Sequence, residues 1–262
     1  MRVAILASGG KDSSYATWWA ELQGWEIAAI VTVIITGKDS LMFQIQNTAI
    51  AGLQSASMGI PWLPVVSDGK ETAEIGELED AIAGRSVVEP TILGLWPDSI
   101  VFPPNLKLHS GRLAIDGLVV GALRSDYQKT NIEMMCQRLG IRSFCPLWHK
   151  DPATHLRSLI NHGFNVVFTS VSCEGLDESW LGSTLDHSSL LRLEVLAKKH
   201  RFNLDGEGGE FETIVTGGPH LPTSVIISGL PDWRGGRGVW NMDSCRLIGN
   251  RYAQTGAHGR PV

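Results

Sequence analysis

Cysteine is scarce in this sequence and follows no recognisable pattern. Of the 262 residues only four are cysteines: Cys136, Cys145, Cys173 and Cys245. They form no C-x-x-C pair, and no histidine stands at zinc-finger spacing from them, so neither a metal site nor a redox couple is indicated. We therefore predict four reduced thiols, most of them buried.

Long apolar runs and a surplus of positive charge are also missing. No run of about 18 or more uncharged apolar residues occurs, so we expect no membrane-spanning segment. The N-terminus breaks into glycines too early for a signal peptide, which favours a cytoplasmic location. The formal net charge of -5 argues against a general nucleic-acid binder, because neutralising phosphates requires an excess of Lys and Arg.

The first part of the chain alternates between apolar runs and segments with helical spacing. The composition of the whole chain, 43% hydrophobic and 19% charged residues, is ordinary for a globular protein. The predicted elements are strand Arg2–Ala7, helix Asp12–Gln23, strand Ile27–Ile35, helix Asn47–Met58 and strand Trp62–Val66. This order predicts a doubly wound, Rossmann-like parallel sheet that binds ligands at the carboxyl ends of its strands.

The next segment continues this pattern after an interruption. A helix is predicted over Glu71–Ala83, a strand over Gly117–Leu123 and a helix over Asp126–Leu139. Between them, 84–115 contains four prolines and scattered apolar residues. We interpret it as an inserted loop or hairpin rather than a layer of the sheet.

A smaller α+β domain is predicted to follow. Asp151 and Pro152 form a good N-cap and N1 pair. They start a helix to about His162, followed by strand Phe164–Val171, helix Ser188–His200 and strands Thr223–Gly229 and Gly238–Ile248. The last two strands could extend this domain, form a homo-oligomer contact or hold a different acceptor site. We divide the chain into residues 1–150, 151–249 and a flexible tail, 250–262.

The turn Ser8-Gly9-Gly10-Lys11-Asp12-Ser13 lies directly after the first predicted strand. A helix start at this point offers free N–H groups and the positive end of the dipole to an anion. The glycines allow close approach, Lys11 adds charge, and Asp12 could cap the helix or help to place Mg²⁺. The alternative is a glycine turn closed by a helix cap. The turn does not match the Walker pattern, since Ile5 stands where that pattern needs glycine.

Ser-Gly-Gly-Lys-Asp-Ser resembles the signature of the ATP pyrophosphatase, or PP-loop, superfamily. The resemblance implies cleavage of ATP between its α and β phosphates and an adenylated intermediate. Superfamily members transfer either sulfur or ammonia to such an intermediate. Since the cysteines form no pair or cluster suited to sulfur transfer, amidation is favoured. Ammonia would come from solution or from a partner.

Further motifs are similar to those of the diphthine-ammonia ligase family. The similar segments are Asp39–Phe43, Gly121–Gln128, Pro146–Trp148, Glu174–Gly182 and Gly206–Thr213. The resemblance runs from Met1 to about Val215, except over the insertion at 84–115. Phe211 departs from it, because a tyrosine is expected there.

The resemblance implies an enzyme that uses ATP, Mg²⁺ and ammonium to amidate diphthine, a modified histidine of elongation factor 2. It implies that Ser8, Gly9, Gly10, Lys11, Asp12 and Ser13 hold the phosphates, and that Lys11, Asp12, Glu174 and Glu210 are catalytic. On the substrate side it places Ser125, Tyr127, Gln128, Asp177, Trp180, Glu207 and Glu212. Metal ligands stay unassigned.

Each of these assignments has an alternative. The carboxylates could hold Mg²⁺, attract ammonium or recognise the trimethylammonium group of diphthine, for which Trp180 offers a cation-π face. Glu207, Glu210 and Glu212 could instead form a solvated acidic loop, and Trp180 could belong to the core. Ser125 could simply cap a helix. A ligase with another carboxylate acceptor and a nucleotide-binding module without turnover are the competing functions.

Overall fold

The computed structural model describes residues 1–37, 48–70, 73–86 and 94–248. The first sheet contains β1 (Arg2–Leu6), β2 (Glu26–Ile35), β3 (Trp62–Ser67), β4 (Gly117–Val120) and β5 (Arg142–Phe144). Its helices are α1 (Lys11–Leu22), α2 (Ile50–Met58), α3 (Glu74–Ile82) and α4 (Asp126–Leu139). The second part contains α5 (Pro152–Asn161), β6 (Asn165–Val171), α6 (His187–His200), β7 (Phe211–Gly217), β8 (Val225–Arg234) and β9 (Arg237–Leu247).

The first sheet is parallel throughout, with the strand order β3-β2-β1-β4-β5. Its central strands are buried on both faces, which explains their nearly continuous apolar sequences. The order reverses between β1 and β4, so a crevice opens there at the carboxyl ends of the strands. The predicted doubly wound sheet is confirmed, although the short strand β5 was not predicted.

The second sheet is antiparallel, with the strand order β7-β6-β9-β8. Apolar residues of α5 and α6, including Leu156 and Leu193, pack in one cluster with Phe168 of β6 and Val215 of β7. The predicted smaller α+β part is confirmed, and β8 and β9 extend it. Strand β7 was not predicted, and the boundary at residue 150 stays a prediction.

The two sheets share an apolar cluster. Ile50 and Leu53 of α2 lie in it with Val167 of β6, Ile214 of β7 and Cys245 of β9. Each of these side chains is at most 4% exposed. Neither half therefore has a fully closed core without the other.

Residues 94–115, the longer described part of the insertion, contact both sheets. On one side, Trp62 at the start of β3 donates its backbone N–H to the Lys107 carbonyl at 2.8 Å. On the other, Cys245 of β9 donates its N–H to the Ser99 carbonyl at 2.7 Å. The segment is a loop, as predicted, but its bridging role was not.

The four cysteines are all free. Burial raises the pKa of Cys136 and of Cys245 to about 12, so both remain protonated thiols. Within the described ranges, no helix combines the length and the apolar character needed to span a bilayer. The predicted tail, 250–262, lies outside the described residues.

Candidate active site

The turn after β1 has a backbone shape that only glycine accommodates. Gly9 has a φ of +88°, and a Cβ added to it would lie 2.3 Å from Cγ2 of Ile50. Its carbonyl oxygen accepts hydrogen bonds from the backbone N–H of Val215, at 2.9 Å, and from Nε2 of Gln54, at 3.0 Å. The turn is therefore held between α2 and a strand of the second sheet.

The first residues of α1 place two opposite charges beside this turn. Lys11 is only 6% exposed, and its Nζ lies 2.8 Å from Oδ2 of Asp12. Nε2 of His155, a fully buried residue of α5, lies 2.7 Å from the other carboxylate oxygen, Oδ1. Burial raises the pKa of Asp12, but the charge of Lys11 and the hydrogen bond from His155 lower it more, and the pKa stays below its ordinary value. Asp12 is therefore ionised, and the His155 Nε2–H donates to it.

The amino end of α1 offers backbone donors to an anion. The first N–H groups of a helix have no partner within that helix, and they carry the positive end of its dipole. Gly121, after β4, lets the strand end lie against this turn, because a Cβ there would be 2.7 Å from the carbonyl carbon of Asp12. The donors of Asp12 and Ser13 thus lie at the sheet crevice.

A cavity of about 170 Å³ occupies this crevice. Its floor is formed where strands end or pass, at Leu6 of β1, Val33 of β2 and Val120 of β4. Its polar lining comprises Ser8, Asp12, Ser13, Gln128 and Glu207. The structure therefore brings the predicted phosphate turn together with two of the predicted substrate-side residues.

Glu207 reaches the cavity from the loop before β7, and Arg124 holds that loop. The Arg124 backbone N–H donates to Oε1 of Glu207 at 3.2 Å, and its Nη1 lies 2.7 Å from Oδ2 of the fully buried Asp205. Arg124 also donates through Nη2 to the Lys150 carbonyl, at 3.2 Å. Burial and the nearby charges of Asp12 and Asp205 raise the pKa of Glu207. The site thus contains one strongly ionised carboxylate and one that accepts a proton more readily.

The residues predicted after β4 divide between capping and the cavity. Ser125 is the N-cap of α4, where its Oγ accepts the backbone N–H of Gln128 at 3.2 Å. The capping alternative therefore describes Ser125. Gln128 also lines the cavity. The neighbouring residue Tyr127 is 43% exposed and is not among the lining residues.

The residues predicted around the 3₁₀ turn Glu178–Trp180 lie elsewhere. The Glu174 side chain is 90% exposed, with Oε1 3.4 Å from Nδ1 of His200. Asp177 caps the turn by accepting the Ser179 N–H at 3.0 Å. Trp180 is 2% exposed and packs against Phe168, with the guanidinium of Arg192 4.5 Å from its ring. The structure does not bring these three residues to the cavity, and for Trp180 it favours the core alternative.

The remaining predicted carboxylates also have local environments of their own. Glu210 accepts the backbone N–H groups of Asn203 and Gly208, each at 2.8 Å, so it shapes the loop that carries Glu207. Glu212 lies half-buried on β7, opposite Ser170 of β6. A catalytic role of Glu174 or Glu210 stays a prediction. The ring of Phe211 is buried, and Lys11 Nζ lies 5.6 Å from its centroid.

Four residues of this site had no role predicted from the sequence: Gln54, Arg124, His155 and Asp205. Arg124 follows directly after a predicted strand, and Asp205 directly precedes the Gly206–Thr213 segment, so position in the sequence gave a signal for both. His155 is a polar residue on an otherwise apolar helix face, which alone does not distinguish a partner from a core histidine. The segment Asp39–Phe43 lies outside the described residues.

Two family models cover almost all of this arrangement. The model of the diphthamide synthase N-terminal domain matches residues 1–97 and 101–143, and that of the diphthamide synthase C-terminal domain matches residues 151–248. The chain belongs to the diphthamide synthase family. The resemblance predicted from the motifs is confirmed, but its predicted limits are wrong, because the models also match most of 84–115 and extend to residue 248.

Relatives of this family member carry the name diphthine--ammonia ligase. The protein of Rattus norvegicus is 30% identical over 235 residues, which cover 87% of this chain and 83% of the relative. The protein of Homo sapiens is 29% identical with the same coverage. That of Schizosaccharomyces pombe is 28% identical, and the match covers 87% of this chain but 36% of that longer protein.

This chain is also similar to a solved structure from Methanocaldococcus jannaschii. That protein is described as a predicted subunit of a tRNA methyltransferase. It is 18% identical with a TM-score of 0.40, and the match covers 84% of this chain and 98% of that one.

Proposed function

We propose that this protein is an ATP-dependent carbon–nitrogen ligase that converts diphthine to diphthamide with ammonia. The observation that carries the proposal is the convergence of the turn at residues 8–13 and the carboxylates of Asp12 and Glu207 on one cavity. Membership of the diphthamide synthase family and the name of its relatives supply the acceptor. The protein substrate is proposed to be elongation factor 2, and the location the cytoplasm.

The chemistry has two steps. The diphthine carboxylate attacks the α phosphorus of ATP, so that pyrophosphate leaves and an acyl-adenylate forms. Ammonia then attacks the acyl carbon, and AMP leaves. The N–H groups at the start of α1 and the ammonium of Lys11 offset the negative charge on the phosphate oxygens, a type of electrostatic stabilisation that often dominates catalysis.

Magnesium is proposed to enter as MgATP, as part of the substrate. Among the residues described by the structure, no group of three or more His, Cys, Asp or Glu side chains could hold a metal ion. Magnesium commonly keeps several waters and binds through substrate phosphates and few protein groups, so an oxygen-rich cavity of this kind fits MgATP. The ionised Asp12 also holds the Lys11 ammonium at the start of α1, beside the turn proposed to bind the phosphates.

The test incubates the protein with MgATP, ammonium and elongation factor 2 that bears diphthine. We expect AMP, pyrophosphate and an amidated histidine detected by mass spectrometry. Lys11→Ala should reduce AMP formation by about 100-fold or more, whereas Lys198→Ala, which removes an exposed lysine of α6, should leave it unchanged.

Two outcomes would contradict the proposal. Formation of AMP with another carboxylate but not with diphthine would assign a different acceptor. No AMP with any acceptor would indicate a nucleotide-binding module without turnover.

A further inference from the structure

The two proposed reaction steps do not say which residue of the cavity binds the ammonium substrate. Near neutral pH ammonia is mostly protonated, and the ammonium ion has no lone pair with which to attack an acyl carbon. The enzyme must therefore bind a small cation and remove one proton from it next to the acyl-adenylate. A carboxylate inside the cavity can do both.

Two carboxylates line the cavity, and they differ in their other contacts. Both oxygens of Asp12 are engaged, Oδ2 with Lys11 and Oδ1 with His155. Within the described residues, Glu207 accepts a hydrogen bond through one oxygen only, Oε1, from the Arg124 backbone N–H. Asp12 already binds Lys11 and His155 beside the turn at residues 8–13. Glu207 is therefore the carboxylate better placed to bind a further cation.

The cavity lining also selects among cations. A trimethylammonium group is bound by aromatic faces, but the residues that line this cavity in the described structure include no aromatic ring. An ammonium ion instead donates hydrogen bonds, and oxygen acceptors are present in the carboxylates and in the hydroxyls of Ser8 and Ser13. The lining therefore fits ammonium better than the substituted amine of diphthine.

We propose that the Glu207 carboxylate binds the ammonium ion and accepts the proton that the ion loses before its nitrogen attacks. This inference rests on the proposed function. In the step, an N–H bond of ammonium breaks and an O–H bond of Glu207 forms. The free ammonia then forms the C–N bond while the bond from the acyl carbon to AMP breaks, and the amide nitrogen gives up a further proton to solvent.

The surroundings of Glu207 agree with this role. The charged groups near it are Asp12 and Lys11 from α1, Arg124 after β4, and Asp205 from its own loop. Burial and the two neighbouring carboxylates raise the pKa of Glu207, and a base with a raised pKa takes a proton more readily. Arg124 is a positioning residue in this arrangement, since it contacts Asp205 and Glu207 of the loop before β7.

The test compares two nucleophiles in the full-length protein carrying Glu207→Gln. Glutamine keeps an oxygen that can accept the Arg124 N–H, so the loop should be retained. Hydroxylamine is mostly unprotonated near neutral pH and needs no base before it attacks the acyl-adenylate. Pyrophosphate exchange into ATP, measured with diphthine-bearing elongation factor 2 and no nucleophile, reports on adenylation alone.

We expect Glu207→Gln to lower ammonium-dependent amidation by about 100-fold while exchange and hydroxamate formation stay within about twofold of the unmodified protein. The defect with ammonium should shrink as the pH rises and free ammonia becomes abundant. Glu21→Gln, an exposed carboxylate at the far end of α1, is the matched control and should behave as the unmodified protein.

Equal losses with both nucleophiles, or loss of exchange by a variant that melts normally, would overturn the role of Glu207. A defect that is independent of pH would also overturn it. If the unmodified protein shows no exchange at all, the proposed function fails first, and the two failures are thus distinguishable.

Discussion

The two sheets contribute differently to the same site. The parallel sheet provides the turn at residues 8–13, the amino end of α1 and the floor of the cavity. The antiparallel sheet and its loops provide Val215, which binds the Gly9 carbonyl, and Glu207, which lines the cavity. The elements proposed to bind the nucleotide therefore lie in one half of the protein, while their arrangement also depends on contacts from the other half.

The largest effect should follow from distorting the turn where the halves meet. Gly9→Ala forces a left-handed φ on alanine and a clash with Ile50. We expect it to lower the free energy of unfolding by about 3 kcal/mol and to abolish pyrophosphate exchange. Both are measured, by urea denaturation and by the exchange assay.

Gly76→Ala is the control for that substitution. Gly76 lies within α3, and a Cβ there would meet nothing within 4 Å. Alanine should stabilise the protein by about 0.5–1 kcal/mol because it favours the helix. Equal effects of the two substitutions would show that the shape of the turn at Gly9 is unimportant.

The link between α5 and Asp12 should have the next largest effect. His155→Leu removes the donor to Asp12 Oδ1 and leaves the Lys11 ammonium as the partner of that carboxylate. We expect the maximal exchange rate to fall by about tenfold, equivalent to about 1.4 kcal/mol. His155→Gln can place an amide N–H near the position of Nε2 and should recover most of the rate. A loss in both variants that matches a loss of stability would assign His155 to the core alone.

Substitution of Gln54, a residue of α2, tests the contact between the turn at Gly9 and strand β7. Gln54 is 4% exposed, and its Nε2 donates to the carbonyls of Gly9 and Val215 at 3.0 and 2.8 Å. Because Gln54→Leu leaves buried acceptors with fewer donors, we expect a loss of about 1 kcal/mol in urea unfolding. Gln137→Leu, at an exposed position of α4, should stay within about 0.5 kcal/mol. If the two variants unfold with the same free energy, the hydrogen bonds of Gln54 to the turn and to β7 do not contribute to stability.

The smallest effect on stability should come from protonation of His220, a histidine of the second half, at mildly acidic pH. His220 is buried against Phe164, and burial lowers its pKa from 6.5 to about 4. Below the unfolded pKa the unfolded chain takes up a proton that the folded protein does not, so this residue makes stability fall as the pH drops from 6.5 toward 4.

The corresponding experiment compares His220→Phe with the unmodified protein at pH 8 and pH 6. The variant should gain about 1 kcal/mol in relative stability at the lower pH. His187→Gln, at an exposed histidine of α6, should show no such gain. If both variants follow the unmodified protein, protonation of His220 does not contribute to acid sensitivity.

The sequence predicts local features of this fold better than its long-range contacts. The bounds of Asp126–Leu139 agree with the structure because Ser125 and Gly140 mark its two ends. The buried parallel strands are equally visible as apolar runs. Strand Phe211–Gly217 was missed because its first residues, Phe-Glu-Thr, fall within a motif interpreted only as a ligand loop.

The candidate site shows the same division. The turn at residues 8–13 was predicted from six adjacent residues. The pairing of Asp12 with His155 spans 143 positions, and no local pattern specifies it. Trp180 was assigned to the substrate from its motif and its cation-π face, whereas in the structure Arg192 already occupies a face of its ring and the core buries it.

The hydrogen bond from Val215 to the Gly9 carbonyl has a consequence for biosynthesis. The N-terminus leaves the ribosome first, so the parallel sheet can begin to form before synthesis is complete. The turn at Gly9 acquires its last backbone partner only when residue 215 has emerged. A nascent chain therefore cannot complete the turn that is proposed to hold the nucleotide until most of the protein has been made.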